Sequence, residues 1–113
     1  MMKLRRTAKF DRQLNKLVKK GYPVGYLTPC IHAIIENNTE VLKQIKDHQL
    51  HGGDWQKYRV HEFHPARISK DAGAYDGWIV AYRIVKKELQ LILIATGGHE
   101  ILKEKMPKTL KDD

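Results

Sequence analysis

Residues 78–96 read WIVAYRIVKKELQLILIAT, two runs rich in β-branched and aromatic residues on either side of a Lys-Lys pair. Runs of this composition with so short a separation predict an antiparallel hairpin of two strands, Trp78–Val85 and Glu88–Thr96. Leu91–Ala95 is apolar on both faces, which indicates a central strand covered by helices on one side. We therefore expect the fold to be built around this hairpin.

The N-terminal segment predicts a short strand followed by a helix. Met2–Arg6 can form the strand, and Thr7 is a plausible helix N-cap. Gly21 is expected just past the end of the helix, and Pro23 prevents its simple continuation. The helix has one apolar stripe in an i, i+4, i+7, i+8 pattern: Phe10, Leu14, Leu17 and Val18.

A second helix is expected from Val24 to Glu36, with Pro29 tolerated in its first turn. Asn37-Asn38 ends it, so the two amphipathic helices form a helical hairpin. The buried face of the second helix is predicted to consist of Leu27, Ile31, Ile34 and Ile35.

A further strand is predicted over Trp55–His64. Strand alternation places Glu62 and His64 on one face and His61 on the other. The segment 65–77 is rich in turn-forming residues and is expected to be a loop. After the hairpin, Gly97-Gly98 leads into a short C-terminal helix.

The resulting element order, β-α-α-β-β-β, predicts the α+β fold class. In this architecture an N-terminal strand and a helical hairpin pack on an antiparallel sheet. A chain of 113 residues fits one domain, so residues 1–113 are expected to form a single unit.

The composition favours a polyanionic partner. The formal net charge is +8, with 21 Lys and Arg against 13 Asp and Glu. Such a balance biases a domain toward RNA, DNA, anionic lipid or acidic proteins, although scattered lysines also occur simply as a solvated face. No apolar run approaches the ~20 residues of a membrane helix, and no signal peptide is evident. Cys30 is the single cysteine, which suits a reducing cytoplasm.

Histidine is concentrated in the C-terminal two-thirds of the chain. Histidine is the side chain best suited to move protons near neutral pH, and several histidines beside a basic surface are one way to build a metal-free ribonuclease. No Cys/His cluster has the spacing of a zinc site, so we expect neither a metal nor another cofactor. The histidines concerned are His48, His51, His61, His64 and His99.

Four motifs resemble the YafQ branch of the RelE/ParE toxin superfamily. They read KDHQL from Lys46, GDWQKYR from Gly53, DGWIVAY from Asp76 and TGGH from Thr96. They follow a helical hairpin in the order and spacing of that family. The resemblance implies a compact RelE-like fold and a type II toxin, a ribosome-dependent endoribonuclease that cuts mRNA and inhibits translation.

Metal-free RNA cleavage uses the adjacent 2′-OH as the nucleophile, so it needs a general base, a general acid and donors for the phosphorane charge. His99 is the first candidate as acid or base, because it follows Gly97-Gly98 in a loop that presents it to solvent. His48 matches the histidine of the family's K-D-H-x-L motif. Asp76 matches the acid of the family's D-W pair, here with Gly77 intervening.

The central histidine of the family pattern is replaced in this sequence. Its position falls on Glu62, flanked by His61 and His64. Glu62 and His64 could share the site, one as base and the other as acid or phosphate ligand, and which of the three residues is central stays open. The chain also has extra residues between Pro65 and Asp76, which could reshape the site or contact RNA.

Six cations are candidates for binding RNA. Arg83 interrupts an otherwise apolar strand, and Lys103 stands where the family often has an aromatic residue that could stack on a base. Trp55 and Trp78 are expected to belong to the core rather than to a base platform. The candidates for RNA binding are Lys46, Lys57, Arg59, Arg67, Arg83 and Lys103.

The resemblance also implies partners. A cognate antitoxin of the DinJ/RelB-like kind would offer an acidic neutralising segment, and operator DNA would be contacted only through that antitoxin. The other partners are the ribosome and mRNA, with no membrane. Two alternatives stay open: a non-enzymatic ParE-like inhibitor of DNA gyrase, and a catalytically impaired homologue that still binds the ribosome or the antitoxin.

Overall fold

The hairpin expected over residues 78–96 is present in the structure, a computed structural model that describes residues 2–70 and 73–104. Strand β4 spans Ile79–Val85 and strand β5 spans Gln90–Gly97. They pair antiparallel from Ile79 opposite Gly97 to Val85 opposite Gln90. A 3-10 turn over Lys86–Glu88 joins them and ends at Leu89, which has a φ of 52°. This prediction is confirmed.

The sheet has five strands in the order β1-β5-β4-β3-β2. β1 pairs parallel with β5, and the other neighbours pair antiparallel. Four α-helices accompany the sheet in the described part of the chain, so the expected α+β fold class is confirmed. The remaining elements are β1 (Lys3–Arg6), α1 (Ala8–Lys19), α2 (Leu27–Glu36), α3 (Thr39–Gln44), β2 (His48–Gln49), α4 (Gly53–Lys57) and β3 (His61–Phe63).

Helix α1 begins and ends where its sequence signals place it. The Thr7 side chain accepts a hydrogen bond from the Phe10 amide at 3.0 Å, which is the expected N-cap. Gly21 has a φ of 82°. The amide of Tyr22 reaches the Leu17 carbonyl at 3.0 Å, so the helix ends in a Schellman motif.

Helix α2 differs from its predicted form in its start and its buried face. Val24–Tyr26 is a 3-10 turn, and the α-helix begins only at Leu27. The prediction that Ile35 is buried is wrong, because this side chain is 39% exposed. Cys30 takes its place in the core with no exposed surface. Burial raises the pKa of the Cys30 thiol to about 12, so it stays protonated at neutral pH.

Two short helices were not expected from the sequence. Helix α3 starts from Asn38, whose side chain accepts from the Val41 amide at 3.3 Å. The strand predicted over Trp55–His64 is wrong in its first half, since α4 occupies Gly53–Lys57. Gly52, with a φ of 89°, and Arg59, with a φ of 54°, turn the chain on either side of this helix. The strand β3 therefore has only three residues.

The sheet separates two apolar clusters. On one face, α1 and α2 pack with the alternate residues Phe63, Val80 and Tyr82. On the other face, Ile79, Ala81 and Ile94 pack with residues from the C-terminal 3-10 helix, which spans His99–Lys103. Glu62 is opposite Ala81 in the register, so it lies on this second face.

Each of the two tryptophans donates a hydrogen bond that fixes a neighbouring segment of the chain. Trp78 is 2% exposed, which confirms its place in the core, and its indole donates to Thr96 Oγ1 at 2.8 Å. Trp55 is partly buried against the second cluster. Its indole donates to the Leu102 carbonyl at 3.0 Å and thereby anchors the C-terminal 3-10 helix. Within the described residues, no helix is both long and apolar enough to span a bilayer.

Candidate active site

Glu62 is the centre of the cluster of titratable side chains. It is 4% exposed on the short strand β3. Its cross-strand partners are His48 on one side and Ala81 on the other. The carboxylate is therefore buried on the second face of the sheet, next to the small Ala81 side chain.

Three imidazoles point their Nε2 atoms at this carboxylate. His48 Nε2 lies 3.4 Å from Glu62 Oε1. His64 Nε2 and His99 Nε2 each lie 3.5 Å from Oε2. The side chains of His48 and His99 are 52% and 60% exposed, whereas that of His64 is 12% exposed. Two histidines can therefore meet a substrate, and one is held within the protein.

In His48 and His64, the other ring nitrogen, Nδ1, contacts a backbone carbonyl oxygen. His48 Nδ1 lies 2.7 Å from the Lys46 carbonyl, and His64 Nδ1 lies 3.1 Å from the Asp76 carbonyl. A carbonyl oxygen only accepts, so each Nδ1 carries a proton. In both rings the Nε2 atom, which lies beside the Glu62 carboxylate, is then the nitrogen that can accept or donate a further proton.

His48 is positioned by the turn before it. Lys46 adopts a φ of 56°, and the amide of Asp47 donates to the Leu42 carbonyl at 2.9 Å. The Tyr82 hydroxyl donates to the Asp47 carboxylate from the opposite face of the sheet. Burial raises the pKa of Tyr82, and the neighbouring Asp47 raises it further, so the hydroxyl keeps its proton.

Asp47, Tyr82 and His61 form a contact group that the sequence analysis did not assign to the site. His61 Nδ1 lies 3.5 Å from Asp47 Oδ2. His61 faces Tyr82, with ring centroids 5.5 Å apart, on the side of β3 opposite to Glu62. Side chains alternate between the two faces along a strand. This alternation is the sequence signal that places His61 on the face opposite to Glu62 and away from the catalytic candidates.

Asp76 reaches the site through its backbone rather than its carboxylate. The carboxylate pairs with Arg67, at 2.8 Å to Nε and 3.0 Å to a terminal nitrogen. This two-point contact joins Arg67 and Asp76, which lie near the two ends of the segment between Pro65 and Gly77. The segment contains 3-10 turns at Pro65–Ile68 and Gly73–Tyr75. Asp76 and Arg67 therefore hold the carbonyl that orients His64.

The other predicted RNA-binding cations lie outside the cluster. Lys46 and Lys103 are exposed, the first after α3 and the second at the end of the C-terminal 3-10 helix. Lys57, Arg59 and Arg83 line a separate groove next to β4. The structure thus brings together His48, Glu62, His64 and His99, with Asp76 as their backbone support.

The turn that presents His99 depends on glycine at one position. Gly97 has a φ of 153°, a conformation that L-residues rarely adopt. A Cβ atom there would lie 2.9 Å from the Cγ2 atom of buried Ile101. Gly98 has an ordinary φ of −81°, and a Cβ there would meet only the flexible carboxylate of Glu100.

Gly97→Ala is expected to lower the free energy of unfolding by about 1–3 kcal/mol, because alanine is strained at this φ and displaces Ile101. Urea denaturation followed by circular dichroism measures the change. Gly98→Ala is the matched control and is expected to stay within about 0.5 kcal/mol of the unsubstituted protein. Equal stability of the two variants would contradict the assigned backbone geometry.

The same side chains have the donor set of a metal site. One ligand atom each from Glu62, His64 and His99 lies within 4.8 Å of the other two. Imidazole nitrogen and carboxylate oxygen suit divalent transition metals. The carbonyl that holds His64 Nδ1 is a typical outer partner of a metal-binding histidine, so the residues present fit such an ion.

Comparisons with known proteins relate the chain to one family and to several solved structures. The family described as bacterial toxin of type II toxin–antitoxin system, YafQ, matches residues 2–104. No match is found among curated proteins. A metal-bound toxin from Helicobacter pylori is 29% identical with a TM-score of 0.68, covering 90% of this chain and 99% of that chain.

Two structures from E. coli share the fold at lower identity. YafQ from strain BL21(DE3) is 17% identical with a TM-score of 0.67, covering 92% of this chain and 100% of that chain. The toxin of the DinJ–YafQ complex is 18% identical with a TM-score of 0.67, again covering 92% and 100%.

Proposed function

The chain belongs to the YafQ family of toxins from bacterial type II toxin–antitoxin systems, and from this premise we propose that it is a ribosome-dependent mRNA endoribonuclease that uses no metal cofactor. One observation carries the proposal: a buried carboxylate with three imidazole Nε2 atoms at 3.4–3.5 Å. General acid–base catalysis needs such groups next to one another, in different protonation states.

We infer the roles of the side chains from their exposure. His48 and His99 are the acid and the base in this proposal, because their rings are about half exposed and accessible to a phosphodiester. Glu62 is buried below them and balances the charge of whichever ring is protonated. His64 is held by the Asp76 carbonyl and, from its buried position, fixes the Glu62 carboxylate next to the two exposed rings.

The reaction balances with these groups alone. One unprotonated Nε2 atom accepts the proton of the 2′-OH as its oxygen attacks the adjacent phosphorus. The bond from phosphorus to the 5′-oxygen breaks, and a protonated ring of the other histidine donates its proton to that oxygen. The products are a 2′,3′-cyclic phosphate and a free 5′-OH, and the requirement for a 2′-OH spares DNA.

Primer extension on an mRNA bound to ribosomes tests the proposal. We expect new 5′ ends within the codon in the ribosomal A site, and none when ribosomes are omitted. An intact message under conditions in which the protein still arrests growth would contradict the nuclease and leave a gyrase-type or binding-only inhibitor. Analysis of the cleaved ends for a cyclic phosphate tests the chemistry separately.

A cognate antitoxin is the proposed protein partner. The family is defined by toxin–antitoxin systems, and the DinJ–YafQ complex is a solved example with the same fold. The net charge of +8 suits an antitoxin with an acidic segment. Their association is expected to weaken with salt, and operator DNA would be reached only through the antitoxin.

Transition metals are expected to inhibit this enzyme. The relative from Helicobacter pylori is described as metal-bound, and an ion held by Glu62, His64 and His99 would occupy the Nε2 atom of His99, one of the two proposed proton-transfer groups. We expect stoichiometric Cu²⁺ to stop cleavage, because Cu²⁺ binds nitrogen and oxygen donors most tightly among the divalent first-row metals. Chelation is expected to restore it.

Isothermal titration of the protein with Cu²⁺, without ribosomes, measures the binding directly. His99→Ala is expected to weaken Cu²⁺ binding by at least about tenfold, whereas the exposed His51, outside the cluster, provides a control in His51→Ala. Cleavage that requires an added transition metal would contradict the metal-free mechanism.

A further inference from the structure

A second site lies beside the open part of strand β4. It is a groove of about 670 Å³. β3 pairs with β4 only at Val80, Ala81 and Tyr82, although β4 continues to Val85. Within residues 2–70 and 73–104, no strand pairs with residues 83–85 on this side, and the groove occupies that place.

The groove is lined by cations on both of its walls. Lys57 and Arg59 come from the end of α4 and the turn after it. Arg83 comes from β4, and Lys86 and Lys87 come from the turn between β4 and β5. Among its lining residues, none is Asp or Glu. A flexible chain of negative charges is therefore the complementary ligand.

Tyr58 arranges two of these cations. Lys57 Nζ lies 5.5 Å from the centroid of the Tyr58 ring, and Arg83 Cζ lies 5.4 Å from it. Such cation–π contacts hold the two cations over the Tyr58 ring. A base stacking on Tyr58 would compete with them, so the groove suits backbone phosphates better than bases.

The groove and the histidine cluster lie on opposite faces of the short strands β2 and β3 and meet at the edge of the sheet. Gln49 and His61 line the groove, and they are adjacent in sequence to His48 and Glu62. β2 is an edge strand of two residues, and a strand advances about 3.3 Å per residue. An extended ligand therefore has only the two-residue edge strand β2 to cross between the groove and the histidine cluster.

We propose that the groove binds the sugar–phosphate backbone of the RNA strand next to the cleaved phosphate. This assignment rests on the proposed nuclease function and adds the path of its substrate. An acidic peptide paired with the edge of β4 is the competing occupant. RNA is favoured because cations line both walls, whereas residues 83–85 offer a pairing edge on one wall only.

A fully 2′-O-methylated RNA oligonucleotide tests the groove, because it keeps the phosphates and cannot be cleaved. Its affinity is measured by fluorescence anisotropy at a series of salt concentrations. The variant is Lys86→Ala/Lys87→Ala, since both side chains are exposed. Lys19→Ala/Lys20→Ala removes the same charge at the exposed end of α1 and is the matched control.

We expect the groove variant to bind roughly tenfold more weakly at physiological salt, and its slope of log affinity against log salt to fall by about 1.4. The control is expected to change neither value appreciably. Equal behaviour of the two variants would overturn the proposal. A groove variant that binds RNA normally but loses affinity for the antitoxin's acidic segment would also overturn the proposal. That result would assign the groove to a peptide. Because the oligonucleotide is not cleaved, weakened binding supports the groove even if the nuclease proposal fails.

Discussion

His99→Ala is expected to slow mRNA cleavage on ribosomes by about 10²–10⁴-fold, the usual contribution of one acid or base. The His99 ring is 60% exposed and contacts the Glu62 carboxylate at 3.5 Å. Its removal takes a proton-transfer group from the open side of the site. Because so much of the ring faces solvent, we expect the free energy of unfolding to change by less than about 0.5 kcal/mol.

The rate of appearance of new 5′ ends in primer extension measures this effect, and urea denaturation checks the fold. His51→Ala is the matched control, because His51 is exposed and lies outside the cluster. Its rate is expected to equal that of the unsubstituted protein. A His99→Ala variant that cleaves at full rate would remove His99 from the mechanism.

Glu62→Gln is expected to have the second largest effect, a loss of about 10²–10³-fold in the rate of cleavage. Glutamine has nearly the same shape but no charge to balance a protonated imidazole. Three Nε2 atoms within 3.5 Å lose their common partner at once. The loss is expected in kcat rather than in KM for programmed ribosomes, since Glu62 is buried below the substrate.

Glu100→Gln is the matched control for this substitution. Glu100 is an exposed carboxylate close in sequence to His99, and its Oε1 atom accepts from the Gly98 amide at 3.3 Å, a role that an amide oxygen can keep. Cleavage at the original rate is expected for Glu100→Gln. If Glu62→Gln also retained that rate, the carboxylate would have only a structural role.

The elements that could be predicted from the sequence are those with strong local signals. The hairpin of β4 and β5 has long apolar runs, and α1 has a regular stripe with a cap at each end. Helices α3 and α4 have only six and five residues. So short a helix shows little periodicity and depends on packing for its stability, which is why neither was predicted.

The strand expected at Trp55–His64 shows how tertiary packing overrides a local pattern. Trp55 has a high β propensity, which favours a strand. In the structure, however, it belongs to α4, and its indole donates a hydrogen bond to the Leu102 carbonyl. The buried face of α2 was misassigned at Ile35 for a related reason. The elements that pack against α2 decide which of its faces is buried. The periodicity of the helix sequence does not specify those elements.

The sequence by itself determined the fold class, the family and the residue types of the site, since these depend on periodicity, turn residues and motif spacing. Only the tertiary structure shows that Glu62 lies at the centre of the histidine cluster, because His48, His64 and His99 reach it from three separate parts of the chain. It also shows that the Asp76 carbonyl contacts His64 and that the Tyr82 hydroxyl contacts Asp47 in the turn before His48. Such contacts depend on distances between atoms that strand pairing brings together, and no local pattern records them.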